Sequence, residues 1–269
     1  MNKTIKATLI VGAVLVCIGL VIVIVAGLVS NWKFQTLEWE YKEFTTSVDE
    51  EITDIDLQFN AGKLTVEYYK GNQIKIEYYE SSEFTTKCYV SKGTLYIATT
   101  QTRWFTSFTW IKNIPETKMY IPQDMDKESN PMGLRLQVNA GAVSFNAGDF
   151  TTVDVELNAG TLTMNNLYCN SFEAEVNAGT LNMSHVETTS FDAEISAGAL
   201  KANRVKSFDI SLDVSAGSAS LGVVGSEYEY SITTDVSAGT CNVKNKNGHT
   251  LKTLKVSVSA GSVNVTFDE

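Results

Sequence analysis

The chain has 269 residues, 43% of them apolar, and a net charge of −10 at pH 7. Only Lys3 and Lys6 lie before residue 31, which leaves 19 basic against 31 acidic side chains in the remainder and argues against nucleic acid as a partner. Four cysteines and two histidines, with no Cys-x-x-Cys or Cys/His cluster, argue against a disulfide framework and a zinc site, so neither metal nor cofactor is expected.

Residues 1–6 form a short basic N-terminus. Ala7 to Val29 is 23 residues without a charge, about 34 Å as a helix and long enough to span a bilayer. Lys3 and Lys6 precede this run, whereas Lys33 and Lys42 after it are interleaved with Glu38, Glu40 and Glu43, which places the N-terminus inside. A cleaved signal peptide is the rival reading, but the apolar run exceeds the usual 7–15 residues. Val16 before Cys17, and the apolar residues that continue after it, argue against a lipoprotein site. The expectation is therefore an uncleaved single-pass anchor over residues 7–29, with the rest of the chain outside the cell membrane.

Residues 30–53 are expected to be a juxtamembrane segment and a cap on the domain that follows. Trp32, Phe34, Trp39 and Tyr41 suit either the headgroup level of a membrane or the covering of a sheet edge. Beyond them, Asn60-Ala61-Gly62 has Ile55, Leu57 and Phe59 before it and Leu64 and Val66 after it, an apolar alternation of period two on both sides. Ser91-Lys92-Gly93, between Val90 and Leu95, reads as a degraded copy. Residues 68–74 read as a turn between strands, and Lys118 to Pro122 as a short strand stopped by proline. Between them Trp104, Phe105, Phe108 and Trp110 form an aromatic cluster with Arg103 as its one charge. It suits a loop meeting lipid or a partner, or packing against the side of the domain.

From residue 134 the pattern becomes regular. Gly141, Gly160, Gly179, Gly198 and Gly217 each close an Asn-Ala-Gly or Ser-Ala-Gly triplet, 19 residues apart, and Gly239 and Gly261 follow at a spacing of 22. With Gly62 these are the expected corners of a repeat architecture. Aligning seven units from Leu134 onward gives five inward columns, and of the 35 slots only Thr234 is polar. One unit buries nothing by itself, but stacked at about 4.8 Å the units bury a continuous core. The predicted fold is all-β: a right-handed parallel β-helix, or β-solenoid, of about 19–22 residues per coil over residues 54–269. The right hand follows from the preference of parallel crossovers and from the absence of a six-residue subrepeat. Cys88 and Cys241 fall at inward positions, Cys169 lies near a corner, and His185 and His249 are expected at the surface.

The anchor, the repeated triplets and the strand ending Tyr120-Ile121-Pro122 together resemble a bacterial putative-adhesin family of uncharacterised domains, over roughly residues 50–267. That resemblance implies a right-handed β-solenoid outside the membrane, mostly in Gram-positive bacteria, with some relatives linked to cell-envelope stress and to resistance against cationic antimicrobial peptides. It carries over no catalytic residue.

The outward positions supply the one charged pattern. Glu156, Glu175, Glu194, Asp213 and Asp235 form one expected column, and Asp154, Glu173 and Asp192 a neighbouring one. Carboxylates about 4.8 Å apart repel by roughly 0.9 kcal/mol per pair at the dielectric of water. The strip reads either as a binding surface for a cation or a basic peptide, or as a solvated face that discourages lateral sheet pairing. The asparagines at the corners read as stacked amides bonding one another rather than as a ligand site. Two function classes follow: a surface-tethered, non-catalytic binding or scaffold module, and a polysaccharide-cleaving β-helix enzyme using surface carboxylates. The second needs a cleft and a break in regularity, and the coils after residue 134 are nearly uniform. The spacing says nothing of oligomeric state.

Overall fold

The computed structural model describes residues 38–47, 51–101, 114–123, 132–247 and 251–268. The expected anchor at 7–29 and the cluster of Trp104, Phe105, Phe108 and Trp110 lie outside these residues. Among the described residues no helix is long and apolar enough to cross a membrane.

Alternation becomes strand. In β10 (Thr161–Val176) and β11 (Thr180–Ile195) every second side chain on either side of the triplet is buried, as period-two patterning requires. Each coil has two faces: a front strand leading into the triplet and a back strand leaving it. The triplet turns one edge. At the other edge the long strands bend at Asn166 and His185, and β12 (Ala199–Lys206) at Arg204, all in left-handed backbone with φ of 53°, 54° and 57°. The pairing skips Asn166 and His185, which point outward and are exposed. Below this bend Thr188 Oγ1 donates to Ser190 O at 2.9 Å and Ser207 Oγ to Asp209 O at 2.9 Å, so these two buried hydroxyls satisfy the bend's own carbonyls.

The regular layers pair in parallel, from β8 (Met132–Val138) and β9 (Ala142–Leu157) through β10 and β11 to β12, β13 (Asp209–Val214) and β14 (Ser218–Val224). Phe172 and Phe191 stack with ring centroids 5.0 Å apart. Burial of each such side chain contributes about 1.5–3 kcal/mol. The triplet glycines form one column because no Cβ fits there. On Gly160 it would lie 2.1 Å from Gly141 O, and on Gly217 it would lie 2.4 Å from Gly198 O.

The stack does not follow chain order at either end, and here the expected sequential arrangement is corrected. At the C-terminal end come β15 (Tyr230–Val236), β16 (Thr240–Cys241), β17 (Lys252–Val258) and β18 (Ser262–Asp268). β17 lies between β13 and β15, and β18 lies between β14 and β16. Gly261 accordingly sits on Gly217, and Gly239 sits on Gly261. The last residues of the chain thus form the penultimate layer, and residues 230–241 form the end layer. At the N-terminal end are β2 (Asp54–Phe59), β3 (Lys63–Tyr69), β6 (Thr94–Gln101) and β7 (Glu116–Pro122). β2 is inserted between β6 and β8, and β3 between β7 and β9.

Burial explains which unit ends the stack. Every inward position of the other six aligned units is buried, whereas Val236 is 40% exposed and Thr234 and Cys241 are only half-buried. Thr234, the polar exception in the repeat, takes a cap: its backbone N and its Oγ1 both donate to Asn245 Oδ1, at 2.5 and 3.0 Å. Ile232 and Lys246 exchange two backbone hydrogen bonds beside it. The least apolar unit closes the solenoid, as terminal repeats do.

The opposite end is closed by antiparallel pairing. β1 (Glu40–Thr45) pairs with β4 (Lys75–Glu80), which pairs with β7. Trp39 packs on Phe84 and Tyr41 on Tyr79, so these two aromatic residues cover the sheet end. Ser91-Lys92-Gly93 is not a coil corner. β5 (Phe84–Ser91) and β6 form a hairpin, and Lys92 and Gly93 are its two-residue turn, with φ of 52° and 81°. Positive φ at both central residues is the type I′ arrangement, which twists as the strands do.

Candidate functional site

The front face carries the predicted acidic strip on β9, β10, β11 and β13. Because these strands pair without offset, Glu156, Glu175, Glu194 and Asp213 stand in register, and so do Asp154, Glu173 and Asp192. Six of these carboxylates, from Asp154 and Glu156 to Asp192 and Glu194, line a shallow concavity of about 210 Å³ floored by Val155 and Ala174. The structure leaves Asp235 out of the continuous column. β17 intervenes, and Ser257 stands between Asp213 and Asp235. Lys255 of the same strand stands in register with Ser211 and ends the neighbouring column in a positive charge.

The N-terminal end of the strip is compensated by residues that sequence reasoning did not single out. Arg135 Nε and Nη2 each lie 3.1 Å from Asp154 Oδ2, and Gln137 Nε2 donates to Glu156 Oε2 at 3.0 Å. Glu156 also accepts from Asn158 Nδ2 at 2.8 Å. Their signal was present as the unit one period upstream, where Arg135 and Gln137 occupy the two outward columns. Glu173, Glu175, Asp192 and Glu194 have no ion pair with any described residue. Among the described residues no group of three or more His, Cys, Asp or Glu is arranged to hold a metal ion. The arrangement is a flat carboxylate grid: it can attract distributed positive charge, and it supplies no converging ligand set.

The back face contrasts with it. On β10 and β11 its outward positions are neutral, Thr161, Thr163, Thr180 and Asn182; its charges are Lys201 on the next coil and, at the N-terminal end, Lys118 and the paired Lys63 and Glu116. The triplet edge is also neutral. Asn139 Nδ2 donates to Asn60 Oδ1 at 2.6 Å, Asn158 to Asn139 at 2.8 Å and Asn177 to Asn158 at 2.9 Å, a ladder of amides that occupies its own donors. At the other edge Lys206 pairs with Glu187 at 2.6 Å beside the exposed Phe208.

The three described cysteines, Cys88, Cys169 and Cys241, are isolated from one another and free. Burial pushes the Cys88 thiol up to about 12 and raises that of Cys169, so both are poor nucleophiles. His185 sits on the exposed bend, and His249 lies outside the described residues.

Coils of two parallel faces, an unbroken glycine column and a charged front face define a parallel β-solenoid with a surface-borne candidate site. The family described as Toastrack DUF4097 matches residues 52–269, and the chain belongs to it. No curated protein matches. Among solved structures, a putative cell adhesion protein from Clostridium sporogenes is 15% identical, with 86% of this chain and 100% of that one covered and a TM-score of 0.37. A putative adhesin from Bacteroides fragilis is 13% identical, with 85% and 97% covered and a TM-score of 0.45. Another, from Parabacteroides merdae, is 12% identical, with 85% and 96% covered and a TM-score of 0.41.

Proposed function

We propose that this chain is a non-catalytic binding module, held at the bacterial cell surface by residues 7–29, whose acidic front face docks a cationic peptide or another cationic component of the envelope. The observation that carries this reading is the grid of Glu173, Glu175, Asp192 and Glu194, four carboxylates on adjacent strands with no ion pair to a described residue. Their mutual repulsion is a cost that Thr or Asn would avoid, and a polycation relieves it. Each exposed pair contributes less than about 1 kcal/mol, so binding rests on several contacts at once and weakens steeply with salt. The resemblance to a family with relatives linked to cationic-peptide resistance points the same way.

The test is a titration of the full-length chain in non-ionic detergent with a cationic amphipathic antimicrobial peptide, at low and at high salt. Glu175→Gln, Glu194→Gln and Asp213→Asn together should lower affinity at low salt while leaving thermal stability equal or higher. Unchanged affinity would make the strip a solvated face. Turnover of pectin, alginate or peptidoglycan fragments that is lost on changing Asp192 or Glu194 would replace the binding reading with the enzymatic one.

A further inference from the structure

Strands β17 and β18 occupy a slot with two walls. On one side Thr253 N donates to Phe208 O at 2.8 Å, Ser259 N to Val214 O at 2.9 Å and Ser262 N to Gly217 O at 3.1 Å. On the other, Ser237 N donates to Val258 O at 2.9 Å, Ala238 N to Ser259 O at 2.8 Å and Thr240 N to Gly261 O at 3.0 Å. Both walls belong to residues 208–241, which precede the insert in the chain and must part for it.

The slot selects its occupant. A corner without side chain is required, because a Cβ on Gly261 would lie 2.4 Å from Gly217 O and one on Gly239 would lie 2.3 Å from Gly261 O. Apolar residues must follow at alternate positions, since Val263, Val265 and Phe267 lie over Ala219, Leu221 and Val223. A positive charge completes the fit: Lys252 Nζ is paired with the Glu229 carboxylate, which directly precedes the end layer. Residues 252–268 meet all three conditions. The two-residue β16, followed by the polar run Lys244 to Asn247, meets the apolar condition poorly, which is why the later unit displaces the earlier one from the layer above β14.

We propose that residues 252–268 are an exchangeable unit, and that the slot takes the same strand pair from a second copy of this chain to give a reciprocally swapped dimer. The walls read a strand pattern and not its covalent origin, and a reciprocal swap keeps every contact of the insert, so it is a low-cost route to association. The connection allows it. Residues 247–251, beyond the end-layer contacts of Asn245 and Lys246, reach roughly 17 Å when extended. Two end layers facing each other separate one molecule's end from the other's slot by only about 10–15 Å at the spacing of strands.

The experiment uses the full-length chain in a background lacking the four native cysteines. Ser211 and Lys255 are outward neighbours in register on β13 and β17, at a spacing that a disulfide tolerates. Ser211→Cys in one copy and Lys255→Cys in another, refolded together at high concentration and oxidised, should give a covalent heterodimer. Its yield should exceed several-fold that of a Lys201→Cys copy mixed with the same Lys255→Cys copy, because Lys201 lies on the back face. The single-chain S211C/K255C variant should also cross-link internally. Heterodimer no more abundant than the K201C control, or internal cross-linking alone, overturns the exchange. Failure of the single-chain variant to cross-link overturns the insertion itself.

Discussion

Asn158 ties the neutral edge of the solenoid to its acidic face: its Nδ2 donates at 2.8 Å both to Asn139 Oδ1 and to Glu156 Oε1. A single amide thus serves the corner ladder and partly compensates a carboxylate of the candidate site. Asn158→Asp removes both donated bonds and sets a carboxylate against two acceptors. The expected loss is about 1–3 kcal/mol, larger than for Asn158→Ala, by urea denaturation at neutral pH. The difference between the two variants should shrink in acid, where the protonated side chain can donate again.

The glycine column makes a sharper contrast. Gly160 has a φ of +96° and its Cβ would strike Gly141 O, whereas a Cβ on Gly222 meets nothing nearer than Arg204 N at 3.4 Å. Gly160→Ala should cost on the order of 3 kcal/mol, and Gly222→Ala should stay within about 1 kcal/mol of the parent. Paired thermal melts check both. Equal effects would mean that the corners are looser than the stacked geometry requires.

Lys92 occupies the left-handed region at the first position of the β5–β6 turn, where a long side chain has no advantage. Lys92→Asn should raise stability by about 0.5–1 kcal/mol, and Gly93→Ala should lower it by about 1–2 kcal/mol. A fall in melting temperature for the Asn variant would contradict the hairpin assignment.

Glu229 gives the pH dependence its sign. The Lys252 ammonium and the Ser226 backbone N–H hold its carboxyl below the ordinary value of 4.5. A group whose pKa is lowered on folding stabilises the fold above its unfolded value, and that contribution is lost as pH falls through the lowered one. The parent should therefore lose stability faster than Glu229→Gln as pH drops below about 4.5. Parallel stability curves for the two proteins would show that the Glu229–Lys252 pair does not couple the end layer to β17.

Much of this architecture was legible because a repeat states its core many times over. Leu134, Val153, Phe172, Phe191 and Ile210 recur at one interval, and burial follows them without exception. The stacking order was not legible, because Ile232 and Leu254 suit the place above Ile210 equally well. The discriminating signs were small: Thr234 in an apolar column, and polar residues after Val243 where other units continue their strand. They mark a unit poorly fitted to burial on both sides, and hence an end. Lys92-Gly93 was misread for a related reason, since a glycine between apolar alternations serves a coil corner and a hairpin alike. The two-residue loop between Ser91 and Thr94 was the better guide. In the acidic strip, Ser257 separates Asp213 from Asp235 only because of the insertion, so no local pattern announces it.

The inserted layers also change how the protein carries load. In an ordinary stack of repeats a force on the chain end peels the outermost coil first, then the next, each step breaking one short row of bonds. Here tension on the C-terminus acts on β18, which is bonded to β14 along its length and to β16, while β17 is bonded to both β13 and β15. Under a pull along their own direction the strands must slide out from between two neighbours, so their hydrogen bonds are sheared together instead of opening one at a time. A tether attached at the last residues would therefore meet its strongest mechanical resistance at the start of extension.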